Sequence, residues 1–133
     1  MARPASKYPT ELELDILKVL WRDGPLHVRQ VRDRLTRKLA VTSVMTIMDI
    51  MRAKGYLTRH KAGGAFLYQA RARQSATTRR MLRDLVDRAF DGSVAAVMVN
   101  LLESAELDAA QIKRLRELLN ARSGETGHES AHD

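Results

Sequence analysis

Between Thr42 and Gln69 the chain reads TSVMTIMDIMRAKGYLTRHKAGGAFLYQ, and no other stretch restricts the fold so tightly. Val44, Ile47, Met48 and Met51 recur at helical spacing, and Gly55 follows as a left-handed helix stop. Tyr56 to His60 and Phe66 to Gln69 are rich in aromatic and branched residues, with Gly63-Gly64 between them as a hairpin turn. A helix followed at once by a basic, glycine-tipped hairpin is the second half of a winged helix-turn-helix. Such a unit sets one helix in a DNA major groove and a cationic loop beside it on the backbone.

The charge distribution agrees. Residues 1–75 hold 15 Lys/Arg against 6 Asp/Glu, a balance of +9, whereas residues 76–133 hold 8 against 10, a balance of −2. A basic first half and a near-neutral second half suit a polyanion-binding module joined to something else. A membrane surface is disfavoured, because the positive charge is scattered rather than set along one amphipathic helix. No window approaches the length of a membrane span, and the N-terminal residues lack an apolar signal core. Without cysteine there are no disulfides or thiolate metal sites, which suits a reducing compartment. A cytoplasmic location is expected.

Ahead of the central segment, Thr10 and Glu13 form a capping-box start for a first helix. Leu12, Ile16, Val19 and Leu20 make its apolar stripe, widened by Leu17 and Trp21, and Gly24-Pro25 ends it. A second helix is predicted over Val28 to Lys38, with His27 at its N-cap, Val28, Val31 and Leu35 inward and its arginines outward. The third helix is predicted to open at Thr42, whose hydroxyl can accept from the free N–H groups there.

Past Arg73 the character changes. Helices are predicted over Thr77 to Phe90, stopped by Gly92, over Val94 to Leu102, capped by Ser93, and from an Asp108/Gln111 capping box onward. They carry Met81, Leu85, Val97, Leu101, Ile112, Leu115, Leu118 and Leu119, more apolar surface than about 45 residues can bury alone. Folding back onto the winged unit is one outlet. Association with a second copy is the more economical one, since it also puts two DNA-reading helices on a two-fold axis. From Ser123 the residues SGETGHESAHD lack periodicity and read as a disordered tail. The i, i+4 pair His128 and His132 has no further ligands near it in sequence and is not read as a metal site.

Catalysis finds no support. Gly63-Gly64 lies between strands and does not open a helix, His27 and His60 are isolated, and Glu11/Asp15 lie on a solvated helix face. No cofactor is indicated. On the third helix, Ser43, Thr46 and Asp49 lie opposite the buried stripe, with Met45 and Ile50 at its edges. Short hydroxyls allow close approach to phosphates and base edges, and a Met can meet a thymine methyl. Asp49 suits phosphate poorly, and is expected to turn away from the backbone or accept from a cytosine amino group. Arg59 and Lys61 flank the wing turn and Arg29 begins the second helix, all suited to phosphate.

The blocks ELDILKVLW, GPLHVRQVRDRL, TSVMTIM, AKGYLTRHKAGGAFLYQA and VMVNLLE, in that order from about Thr10 to Asn120, resemble the penicillinase-repressor family of BlaI/MecI-type regulators. The resemblance implies a homodimeric bacterial transcriptional repressor, with an N-terminal winged helix and a C-terminal helical dimerisation domain. It carries the recognition helix onto Thr42, Ser43, Met45 and Thr46, and the wing onto Arg59 to Phe66. In β-lactam-responsive members a protease ends repression by cutting the dimerisation domain between an Asn and an apolar residue. The matching bond is Asn100–Leu101, which would make a regulatory protease a partner. Two features depart from the pattern. Ile50 stands where the recognition helix commonly carries an Arg, and the copper-responsive branch's C-terminal Cys motif is absent.

The expectation is therefore a mostly α fold with a small β-hairpin wing: a winged domain over 1–75, a helical dimerisation domain over 76–122 and a tail over 123–133. Its partner would be double-stranded operator DNA. The alternatives are a winged protein-interaction module docking acidic partners, and a regulator sensing a small ligand in its dimer domain.

Overall fold

The computed structural model describes residues 8–131, with side chains described as far as residue 124. In chain order it contains α1 (Glu11–Asp23), α2 (Val28–Arg34), α3 (Val41–Ala53), β1 (Leu57–Ala62), β2 (Ala65–Ala70), α4 (Gln74–Ala89), α5 (Val94–Ser104) and α6 (Ala109–Ala131). Two compact units divide between Asp84 and Leu85, inside α4, rather than at residue 75. The segment that leaves the wing ahead of α4 is tied to the first unit by two hydrogen bonds. The Trp21 indole Nε1 donates to the Ala72 carbonyl at 2.8 Å, and the Arg71 N–H donates to the Tyr56 carbonyl at 2.9 Å.

The core of the first unit joins Ile16, Leu17, Val19 and Leu20 of α1, Val31 of α2, Val44, Met48 and Met51 of α3, Leu57 of β1 and Tyr68 of β2. Leu26 enters by pairing with Tyr68, N–H to carbonyl in both directions at 2.8 and 3.0 Å, which adds a one-residue third strand to the hairpin. The capping box of α1 forms as expected. Thr10 Oγ1 accepts from the Glu13 N–H at 3.2 Å, and Glu13 Oε1 accepts from the Thr10 N–H at 2.9 Å. The buried Glu13 carboxylate also receives the Lys54 ammonium, at 3.0 Å to Oε2 and 3.1 Å to Oε1. One acid thus begins α1 and fastens it to the end of α3. Burial pushes this carboxyl up, but the Thr10 bonds and the Lys54 charge outweigh it and hold its pKa below the ordinary value.

Several boundaries differ from those expected. α2 stops at Arg34, short of Lys38, because Leu35 turns extended, at ψ 140°, and with Leu39 reaches the core from the connection to α3. α3 begins at Val41 with Ala40 as its N-cap, so Thr42 lies inside the first turn and caps nothing. Its other end is as expected: Gly55, at φ 87°, donates to the Arg52 carbonyl, and Tyr56 donates to Met51. This pair of bonds is the Schellman motif. α6 opens on the Asp108/Gln111 box, and its backbone stays helical to Ala131, past Ser123 where order was expected to end. Once a capped start exists, each further residue adds one hydrogen bond without a new nucleation cost. The side chains of His128 and His132 lie outside the described residues.

Candidate nucleic-acid interface

The face of α3 turned away from the core carries Thr42, Ser43, Met45, Thr46, Asp49 and Ile50, all exposed. Met45 is 44% and Ile50 46% exposed, so two large apolar side chains face water on a helix whose other side is fully buried. Thr46 Oγ1 donates to the Thr42 carbonyl at 3.0 Å. Its proton is engaged within the helix, and its oxygen remains an acceptor for an amino group on a base edge.

Beside α3 stands the wing. β1 and β2 pair antiparallel, with Leu57 opposite Ala70, Arg59 opposite Tyr68 and Lys61 opposite Phe66. Strand alternation puts these six on one face and Thr58, His60, Leu67 and Gln69 on the other. Gly63 and Gly64 take φ values of 62° and 81°, as a two-residue turn matched to the strand twist requires. Lys61 lies near the tip, its Nζ 5.7 Å from the Phe66 ring centroid.

Arg59 packs along the wing and reaches α3. Its guanidinium lies 3.9 Å from the Phe66 ring centroid, Nη1 donates to the Tyr68 hydroxyl at 3.1 Å, and the same nitrogen is 3.6 Å from Asp49 Oδ1 on α3. Asp49 therefore turns to the wing. The sequence suggested that Asp49 would turn away from phosphate, but not which cation would receive it.

Arg29, Met45 and Arg59 come together in a groove of about 440 Å³, lined also by His27, Asp49 and Phe66. Thr42, Ser43, Thr46 and Lys61 are not part of that lining. His27 occupies the N-cap of α2, but its ring caps nothing there. Its Nδ1 lies 2.9 Å from the Phe66 carbonyl, an acceptor, so Nδ1 is the protonated nitrogen. The cap is completed from the other side, by Gln30 Oε1 accepting from the His27 N–H at 2.9 Å. Among the described residues no cluster of His, Asp and Glu could hold a metal ion. No helix among them is long and apolar enough to cross a membrane.

In the second unit, Leu85, Leu101, Ile112, Leu118 and Leu119 are exposed, together with Val94, Val99 and Leu102. Met81, in the first unit, and Leu115 are half-buried. Val97 differs from expectation, since it is buried within its own chain, as is Val86. Asn100 and Leu101 lie inside α5, exposed. Asn100 Nδ2 donates to the Ala96 carbonyl at 3.1 Å, and Ser104 Oγ donates to the Asn100 carbonyl at 2.6 Å.

The sequence profile of the penicillinase repressor family matches residues 9–121, which spans both units. The chain belongs to the penicillinase repressor family. Among its relatives, the Penicillinase repressor of Bacillus licheniformis is 24% identical over 112 residues, covering 83% of this chain and 88% of that protein. Methicillin resistance regulatory protein MecI of Mammaliicoccus sciuri is 18% identical over 110 residues, covering 81% and 89%. The crystal structure of transcriptional regulator Tm0710 from Thermotoga maritima covers 90% of this chain and 77% of that one, at 18% identity and a TM-score of 0.46. This penicillinase repressor family member is thus a DNA-binding transcriptional repressor of the BlaI/MecI type, with a winged helix followed by a helical C-terminal part.

Sequence reasoning missed three ties in this repressor: the Glu13–Lys54 pair, the His27–Phe66 contact and the Asp49–Arg59 pair. Each joins residues 10 or more positions apart on different elements. Only the acid at position 49, misplaced for a phosphate-facing helix, signalled that a partner was needed.

Proposed function

We propose that this repressor acts as a cytoplasmic homodimer on a palindromic operator, each protomer laying α3 in the major groove with its wing on the flanking backbone. The observation that carries the reading is the free face of α3, where Met45 and Ile50 face water beside Ser43 and Thr46. An apolar face kept exposed on an otherwise buried helix gains nothing in the free protein and gains contact with base edges and thymine methyls in a groove. In this reading Thr42, Ser43, Met45 and Thr46 choose the sequence, while Lys61 and Arg29 grip phosphates and supply most of the affinity.

The second copy is argued from the C-terminal helices. Leu101, Leu102, Leu118 and Leu119 are each exposed in a single chain, more apolar surface than short polar-flanked helices keep in water without a partner. Release follows from loss of the dimer, with cleavage at Asn100–Leu101 by a regulatory protease as one route. A protease reads extended backbone, so α5 has to open first, breaking the Ser104-to-Asn100 and Asn100-to-Ala96 bonds.

Selection of duplexes from a random library by the purified protein, near physiological salt, tests the reading. Enrichment of an inverted repeat with half-sites about one helical turn apart supports it. Binding without sequence preference, vanishing as salt rises, sinks it in favour of a module for acidic protein partners.

A further inference from the structure

Among the described residues, Arg59 is the wing cation that reaches the recognition helix. Its side chain is 27% exposed, that of Asp49 is 49% exposed, and the two meet across the gap between β1 and α3 at 3.6 Å. On the wing side the guanidinium is held twice, by stacking at 3.9 Å from the Phe66 ring centroid and by the hydrogen bond to the Tyr68 hydroxyl. Both aromatic residues are themselves fixed. Tyr68 is a buried core residue paired to Leu26 by backbone bonds, and the Phe66 carbonyl faces His27 Nδ1 at the head of α2. The planar fork therefore links three elements of the winged unit: α3 through Asp49, the wing through Phe66 and Tyr68, and, through Phe66, the start of α2.

A two-stranded hairpin standing off a helix has few contacts to fix its angle, and isolated hairpins are marginal in water. The wing meets the core through Leu57, Tyr68 and Ala70 and, nearer the tip, through partly buried Phe66, while Arg59, opposite Tyr68 on that face, carries the contact across to α3. Building on the DNA-binding reading above, we propose that Arg59 is a positioning residue, locking the wing to the base-reading helix through Asp49. Its task is to hold the spacing between the groove-reading face and the phosphate-gripping tip, so that bases are read only when the backbone lies where Lys61 and Arg29 can hold it. Asp49 takes its place on the DNA-facing side as the acid that receives Arg59, which also neutralises a charge that phosphate would otherwise repel.

The alternative roles predict different numbers. A phosphate contact adds about one unit to the salt slope, is indifferent to sequence and is largely kept by Lys. A stacked, forked strut is not kept by Lys, whose ammonium neither stacks nor forks. The test uses the full chain and compares R59Q, R59K, D49N and the double variant R59Q/D49N. Their affinities for a selected operator and an unrelated duplex are measured across a salt series. The expected result is a fall of about tenfold in the operator-to-unrelated ratio for both R59Q and R59K, with a salt slope changed by well under one unit. D49N is expected to lower the ratio in the same direction at every position of the half-site. The double variant should be no worse than R59Q, as for two residues acting as one unit.

Equal weakening of both duplexes, a slope flattened by about one unit in R59Q and its recovery in R59K would overturn the proposal. So would a D49N effect confined to a single C·G pair, the mark of a base contact. Amide hydrogen exchange on free R59K and D49N keeps this distinct from the repressor reading. If the strut exists, amides of β1 and β2 exchange about tenfold faster while those of α1 and α3 do not change. Unchanged wing exchange sinks the strut even if an operator is found. Failure of the wild type to select any duplex sinks the operator reading and leaves the exchange result to decide on the strut.

Discussion

Glu13 shows how much one residue can be asked to do. It closes the capping box of α1, and its carboxylate, almost wholly buried, holds Lys54 at the end of α3. Removing one partner of a fully buried pair typically costs 3–5 kcal/mol, and losing a cap about 1. Lys54 keeps a quarter of its side chain in water, so the first figure is discounted, and E13A is expected to cost about 2–3 kcal/mol in a urea melt at pH 7. The pH dependence has a definite sign. The folded-state pKa of Glu13 lies below its unfolded value, so the pair's contribution is complete above the ordinary carboxylate range and is lost as pH falls through the folded value. The gap between wild type and E13Q should therefore narrow on acidification, and a gap that stays constant with pH would show that the carboxylate charge is not what stabilises. At the interface, K61Q should weaken binding to all duplexes alike and flatten the salt slope by about one unit. S43A or M45A should instead cost roughly 1–3 kcal/mol at one base position and spare the slope.

At the scale of elements, α3 and the wing are joined by one residue in a conformation that L side chains resist. Gly55 sits at φ 87° and completes the Schellman bonds that end the helix and aim the chain into β1. A Cβ there would meet only the Arg71 Nη1 at 3.5 Å, an ordinary contact, so the penalty of G55A is conformational rather than steric. About 1–2 kcal/mol is expected in a urea melt. A neutral G55A would mean that the left-handed cap is not maintained. The helix and both strands were legible in the sequence because each rests on local signals, namely apolar period, glycine punctuation and aromatic-branched runs. The end of α2 was not, because Leu35 leaves the helix to serve a core assembled from distant elements.

On the scale of the molecule, the two units face different problems. The winged unit buries its own core, while α5 and α6 leave leucines on the surface, the face assigned above to the proposed dimer. L118D should drive sedimentation equilibrium from a two-chain to a one-chain mass. If two half-sites are read together, operator affinity should then fall by on the order of 10²–10⁴, the factor lost when the second contact ceases to be intramolecular. An unchanged mass would return the apolar face to some other role.

What the sequence alone determined is local: the capping boxes at Thr10 and Asp108, the stripe of α3, the Gly55 stop, the two-glycine wing turn, and a family pattern carried by blocks in order. Each depends on residues within a few positions of one another, where spacing and conformational preference dictate the outcome. Tertiary structure decided how those pieces are tied. Asp49 and Arg59 are 10 residues apart and Glu13 and Lys54 are 41, and no period or motif announces such pairs. Only the folded core brings α3 against the wing, and that contact sets the half-buried Arg59 between helix and hairpin, against Asp49, Phe66 and Tyr68.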